Sequence, residues 1–213
     1  MEATQKQLQL DGEIKIFDPS KTFGVIAEEV RVGLPSDRVL TEIIIDNRPV
    51  DLVEEEELNK KEFSILGDVV LKTRQVDELF RESLTVAPRI CEALQMDCDE
   101  LENFLNTDKF QEAANRLTEM SALLEWLIQL VVGAQSLGDK RVEDMTFSQG
   151  KVMDSCTRMQ FQLVQLHSNL ADSKWDAFRK ILKGDFKSEL KIWETMFSDL
   201  STNWTPRTSV RDS

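Results

Sequence analysis

Three cysteines, Cys91, Cys98 and Cys156, and a single histidine, His167, are the side chains that could hold a zinc ion or supply a nucleophile and its base. Zinc takes four ligands, usually in close Cys-x-x-Cys or His pairs. No such pair occurs, so the thiols read as small apolar residues on helices, and neither a metal nor a cofactor is expected. The odd, widely spaced set is no disulfide framework either. A Ser-His-Asp arrangement would have to use His167, which sits beside apolar Leu166 and reads as a polar flank. A di-iron bundle needs Glu-x-x-His twice, and one histidine cannot supply it. The eight glycines are scattered, with no phosphate-cradling loop. Carboxylates are plentiful, but none stands in the apolar isolation that raises a carboxyl for acid–base work. No catalytic residue is therefore expected.

Two acidic clusters stand out. Glu54–Glu57 opens a short helical stretch, where negative charge suits the positive end of the helix dipole. The second, Asp97, Asp99, Glu100 and Glu102 with Glu92 upstream, has no base between Arg89 and Lys109. It reads either as the solvated capping of a helical piece or as a surface for a basic partner. The Asp-x-Asp at 97–99 lacks the glycine and the length of a calcium loop.

The elements that must position these residues fall into two parts. The formal net charge is −13. Residues 1–74 carry 16 acids and 10 bases, and residues 75–213 carry 23 and 16. Both parts are acidic, so neither nucleic acid nor an anionic membrane is an expected partner. The most apolar window, Ala122–Ala134, is interrupted by Glu125 and Gln129 and falls short of the roughly 20 residues a membrane span needs. Met1–Gly12 has no apolar core of a signal peptide, and the expected location is cytoplasmic.

In residues 1–74, Leu8-Gln9-Leu10 and Glu13-Ile-Lys-Ile16 alternate about Asp11-Gly12, a strong hairpin signal. Leu8, Leu10, Ile14 and Ile16 are expected to share the core face. A helix follows, with Thr22 as its N-cap, a stripe of Phe23, Ile26, Ala27 and Val30, and an end at Gly33 and Pro35. A strand at 41–46, a turn at Asp46–Pro49, a short strand at Val50–Leu52 and a short helix capped by Asp51 and Glu54 come next. The last strand is Gly67–Arg74.

The order β-β-α-β-β-short helix-β, with Asp18-Pro-Ser-Lys-Thr22 before the helix and Leu34-Pro-Ser-Asp37 after it, resembles the ubiquitin-like β-grasp fold over residues 4–74. Ubiquitin-type modifiers end in a free diglycine tail. Here Arg74 runs straight into the helical Gln75-Val-Asp-Glu-Leu-Phe80, so conjugation chemistry is not expected. In the strand 41–46, Thr41, Ile43 and Ile45 share one face by alternation. On the other face, Ile44 and Val70 are apolar among polar residues such as Lys72. They read as a partner-binding patch, as a contact with the chain's own helices, or as simple exposure.

Residues 75–200 carry four helical stripes at 3–4 spacing. The first runs from about 76 to 105, kinked at Pro88. The second covers about 108–133 and the third about 147–170. The fourth covers about 173–200, opened by a capping box at Ser173–Asp176 and interrupted by Gly184. Leu101, Leu105, Lys109, Phe110 and Leu117 recur 65 residues later as Leu166, Leu170, Lys174, Trp175 and Leu182. Two hairpins that cannot bury their stripes alone point to an antiparallel four-helix bundle. The window Leu123–Val132 is more apolar than one inward stripe needs, which suggests a further covered face. Residues 201–213 read as a flexible tail on which Trp204 could dock.

The expected class is thus α+β, a β-grasp domain (1–74) followed by a four-helix bundle (75–200). The expected function is a non-enzymatic interaction module (adaptor, chaperone-like or scaffold) for a protein partner or a second copy. The alternatives are an enzyme with a carboxylate site between the domains, or an acidic inhibitor or antitoxin-like protein that blocks a basic partner.

Overall fold

The computed structural model describes residues 5–207. It is an α+β protein with an N-terminal sheet and a mainly helical remainder. The chain divides into two compact units between Leu79 and Phe80.

The first unit opens with β1 (Lys6–Leu10) and β2 (Glu13–Phe17), joined by Asp11-Gly12. Both turn residues have positive φ, 49° and 90°, the requirement of a type I′ turn whose twist matches that of the strands. Helix α1 (Phe23–Gly33) follows, with Phe23, Ile26, Ala27 and Val30 buried. Strand β3 (Arg38–Ile45) turns through Asp46 and Asn47, again both at positive φ, into β4 (Arg48–Pro49). This second turn is tighter than the sequence suggests, so the strand begins two residues early and Val50 already leaves it. Helix α2 (Leu52–Leu58) is capped by Asp51, whose carboxylate accepts the Glu54 N–H at 2.8 Å. A 3-10 turn (Phe63–Ile65) leads to β5 (Val69–Gln75).

The five strands form one mixed sheet in the order β2-β1-β5-β3-β4, with β5 parallel to β1 and antiparallel to β3. Its inner side contributes Leu8, Ile43, Val69 and Leu71 to a core with the α1 stripe, Leu58 and Phe63. Each fully buried side chain of this kind contributes about 1.5–3 kcal/mol.

The hairpin departs from expectation. Leu10 pairs with Glu13, Gln9 with Ile14 and Gln7 with Ile16. Residues directly opposite one another share a face. Leu8 and Leu10 therefore share theirs with Lys15 and Glu13, and Ile14 and Ile16 go to the outer side, 65% and 54% exposed. A two-residue turn inverts the parity that a shared core face for all four would need. A β-bulge between Leu40 and Glu42 likewise moves Thr41 out of the ladder. Thr41 is exposed, and Leu40 packs on the core with Ile43 and Ile45 instead.

β5 passes without a break into α3 (Val76–Asn106), which stays continuous through Pro88. In the second unit, α4 (Phe110–Leu137), a 3-10 turn (Val142–Asp144), the two-residue strands β6 (Thr146–Phe147) and β7 (Gly150–Lys151), and α5 (Val152–Ala171) follow. The expected helix at Phe147 thus starts five residues later, because Gly150 at φ 143° closes a small hairpin first. Helix α6 (Trp175–Ile181), a π-helical segment (Leu182–Phe186) and α7 (Lys187–Asn203) follow one another without a gap. Gly184 sits in the π segment, where one extra residue per turn keeps Leu182, Phe186 and Leu190 all buried.

The capping box at Ser173–Asp176 does not form. Ser173 is left-handed (φ 54°), and Lys174 holds the N-cap position with no side-chain hydrogen bond. The reason is a turn used twice. Asp108 and Ser173 are both left-handed, and Lys109 and Lys174 have nearly identical φ/ψ. The Lys109 N–H reaches Phe104 O at 2.9 Å, and the Lys174 N–H reaches Asn169 O at 2.8 Å.

Helix α7 ends at Asn203, and the residue after it docks as the sequence allowed. Trp204 is buried against Phe80 with its indole N–H on Ala134 O at 3.2 Å, and the Arg207 N–H reaches Leu137 O. The remainder of the expected tail, 208–213, lies outside the described residues.

Candidate functional site

On the outer side of the sheet, four apolar residues and Gln9 line up across the strands of the first unit. Ile14 lies opposite Gln9, Gln9 beside Val70, Val70 opposite Ile44, and Ile44 opposite Pro49. One row thus crosses all five strands in register. Gln9 and Pro49 are exposed, and Ile44 and Val70 are half-buried. One step along, Lys72 and Glu42 are cross-strand partners joined by an ion pair of 2.7 Å. Such an exposed pair contributes less than about 1 kcal/mol, so it borders the row more than it stabilises it.

Ile44, Val70 and Lys72 are therefore brought together as the alternation predicts. Ile14 and Ile16, placed in the core by that reading, belong to the same side. The signal that would have found them is the pairing arithmetic of a two-residue turn.

The acidic cluster has a different fate. Arg116 of α4 bonds Glu100 at 2.9 Å, and its guanidinium lies 3.2 Å from Asp97. Lys187 holds Asp99, and Lys183 pairs with Glu102. All four carboxylates are engaged by cations of the same unit. Partial burial, only partly offset by Arg116, pushes the Asp97 carboxyl above its ordinary value. The bases that engage the cluster lie on α4, the π segment and α7, none of which lies near it in sequence.

The thiols are chemically quiet. Burial pushes Cys91 and Cys98 up to about 12, and burial with the Glu189 charge pushes Cys156 to about 11. The thiolate is the nucleophile, so little of it forms near neutrality. His167 Nε2 lies 3.1 Å from Ser121 Oγ, and that hydroxyl also donates to Leu117 O at 2.8 Å. Among the described residues no carboxylate bonds His167, so nothing orients it as a base toward Ser121. No group of three or more His, Cys, Asp or Glu among the described residues could hold a metal ion.

One polar centre was not legible in the sequence. Glu189 on α7 is 3% exposed and receives Ser155 Oγ and both Arg158 Nε (2.8 Å) and Nη2 (3.1 Å) from α5. Every oxygen is satisfied, so the group serves as a tie between helices. Its trace in the sequence is a glutamate flanking Leu190 in an otherwise apolar stripe.

Helix α4 is long and apolar enough, by length and composition, to cross a membrane. Leu117, Leu124, Leu127 and Val131 nevertheless lie in the core of the second unit. Leu123 and Val132, the surplus of that window, are 38% and 50% exposed. A groove of about 510 Å³ beside α2 is lined by Ile45, Arg48, Val50, Val53, Glu54 and Leu58, with Arg48 paired to Glu54.

Comparison with family models, with curated proteins and with solved structures gives no match for this chain.

Proposed function

We propose that the protein is a non-enzymatic interaction module that binds a protein partner through the outer side of its N-terminal sheet. The observation that carries this reading is the in-register row Ile14–Gln9–Val70–Ile44–Pro49, with the Lys72–Glu42 pair at its border. A flat apolar centre with a polar rim is the usual anatomy of a protein interface. Such rows are uncommon on exposed sheet faces, where polar residues normally alternate outward.

The strand order, with α1 following the first hairpin and β5 between β1 and β3, supports reading the first unit as a β-grasp domain of ubiquitin-like type. The repeated turn supports reading the second as two helical hairpins making a four-helix bundle. Ties run from α3 to α4 through Arg116, from α4 to α5 through Ser121, from α5 to α7 through Glu189, and from α7 back to α3 through Glu194 and Gln95. That closed ring of four rods is what a bundle needs. The bundle is the scaffold, and the protein acts in the cytoplasm on a protein partner. Substituting Ile44→Glu tests the reading: the fold should persist by circular dichroism while partner binding is lost.

A further inference from the structure

We propose that two copies of the chain associate by antiparallel pairing of their β2 edges, centred on Ile14. β2 is the end strand of the sheet, and Glu13–Ile16 are exposed along its length. Leu10 and Glu13 close a two-residue turn, and such a closing pair exchanges its backbone hydrogen bonds. On β1, the neighbouring Asp11 N–H goes the other way, to Leu71 O of β5 at 3.0 Å. By the two-residue period, Glu13 and Lys15 point their backbone groups at β1, and Ile14 and Ile16 point theirs outward. An edge of this kind, carrying two exposed isoleucines, is a template for another strand.

The side chains select the partner and the register. Glu13-Ile14-Lys15 is self-complementary about a two-fold axis through Ile14. Ile14 then meets Ile14 of the second copy as a hydrogen-bonded pair. Glu13 meets Lys15 of the second copy twice, at the closer, non-hydrogen-bonded spacing. The 2.8 Å Lys15–Glu13 pair within one strand is exchanged for two pairs between strands. A register centred on Lys15 would set two lysines face to face and is disfavoured. On the outer side the two rows become continuous, from Pro49 of one copy to Pro49 of the other. Two short strands bury less than a standard stable interface, so the dimer forms reversibly with concentration. Ile14 belongs to both surfaces, whereas Glu13 and Lys15 lie on the inner side of the sheet and take part only in the contact between copies.

The test is sedimentation equilibrium of the full chain over a concentration series, for wild type, Glu13→Lys, Lys15→Glu and an equal mixture of the two variants. Each variant alone places like charges opposite each other and should self-associate at least about tenfold more weakly. In the mixture every facing pair is attractive again, so a heterodimer should form with wild-type strength. Oxidation should cross-link Ile14→Cys, whose Cα atoms would sit within disulfide reach, and leave Ile16→Cys without a cross-link. A wild type that is monomeric throughout, variants that associate like wild type, or a mixture that stays dissociated would overturn the proposal. Partner capture by Glu13→Lys should be unchanged, which separates this failure from failure of the sheet-face reading.

Discussion

Ile44 on β3 and Val70 on β5 are direct cross-strand partners on the outer side of the sheet, while Ile43, one residue earlier, is 6% exposed on the inner side. The two sides should respond differently to truncation. Ile44→Ala and Val70→Ala should each cost about 1 kcal/mol or less, the scale of one cross-strand pair. Ile43→Ala should cost about 2–4 kcal/mol because it leaves a cavity. Urea denaturation measures the difference, and equal costs would mean that the outer residues are packed like core.

Among the helices, Leu117, Leu124 and Leu182 are fully buried, whereas Leu163 is only partly so. Alanine at the first three should cost about 2–5 kcal/mol each. Leu163→Ala should cost visibly less, because solvent already reaches the site. Thermal melts ranking Leu163 with the others would show that α5 packs more deeply than described.

Asp11 fastens the first hairpin to β5. Its carboxylate accepts the Thr73 N–H at 2.7 Å and the Thr73 hydroxyl, with Arg38 at 3.3 Å. Burial alone would raise the carboxyl, but the Thr73 hydrogen bonds and the Arg38 charge outweigh it and hold it below its ordinary value of 3.8. A carboxyl depressed on folding adds stability that is complete above its unfolded value and is lost as the pH falls through the folded one. Asp11→Asn keeps a residue that tolerates positive φ. It should cost about 1 kcal/mol at neutral pH, the exposed Arg38 pair adding little. The gap between wild type and variant should close below pH 3.8, measured by denaturation at several pH values. A gap that stays constant into acid would mean the charge is immaterial.

Arg158 is the cation that balances buried Glu189. Arg158→Leu leaves that carboxylate with Ser155 alone and should cost about 2–4 kcal/mol, much of it recovered when Glu189→Leu is added. A double variant no more stable than the single one would show that the pair is not coupled.

Most of the helical core was legible, because Leu84, Cys91, Leu94, Cys98, Leu101 and Leu105 repeat at the helical period and all face inward. What escaped depends on local geometry that composition does not carry. The faces of Ile14 and Ile16 follow from the parity of the turn, and the exposure of Thr41 follows from one bulge. The helix starts at Val152 and Trp175 follow from Gly150 and a left-handed Ser173. Partners distant in sequence were equally hidden. Nothing near Asp97–Glu102 announces Arg116, Lys183 or Lys187. Ile44, Val70 and Lys72 were visible because strict alternation sets faces within a strand without any reference to its neighbours.

Partner capture from native cells with three matched baits tests the sheet face most directly. The baits are wild type, Ile44→Glu, and Val32→Glu, the last altering a residue that is 78% exposed on α1. All three should keep the wild-type circular dichroism spectrum. A partner held by wild type and Val32→Glu should fall at least about tenfold on Ile44→Glu, since a charge at the centre of an apolar contact costs more than about 1.4 kcal/mol. If Ile44→Glu folds and captures everything that Val32→Glu captures, the outer row Ile14–Gln9–Val70–Ile44–Pro49 is not the binding surface.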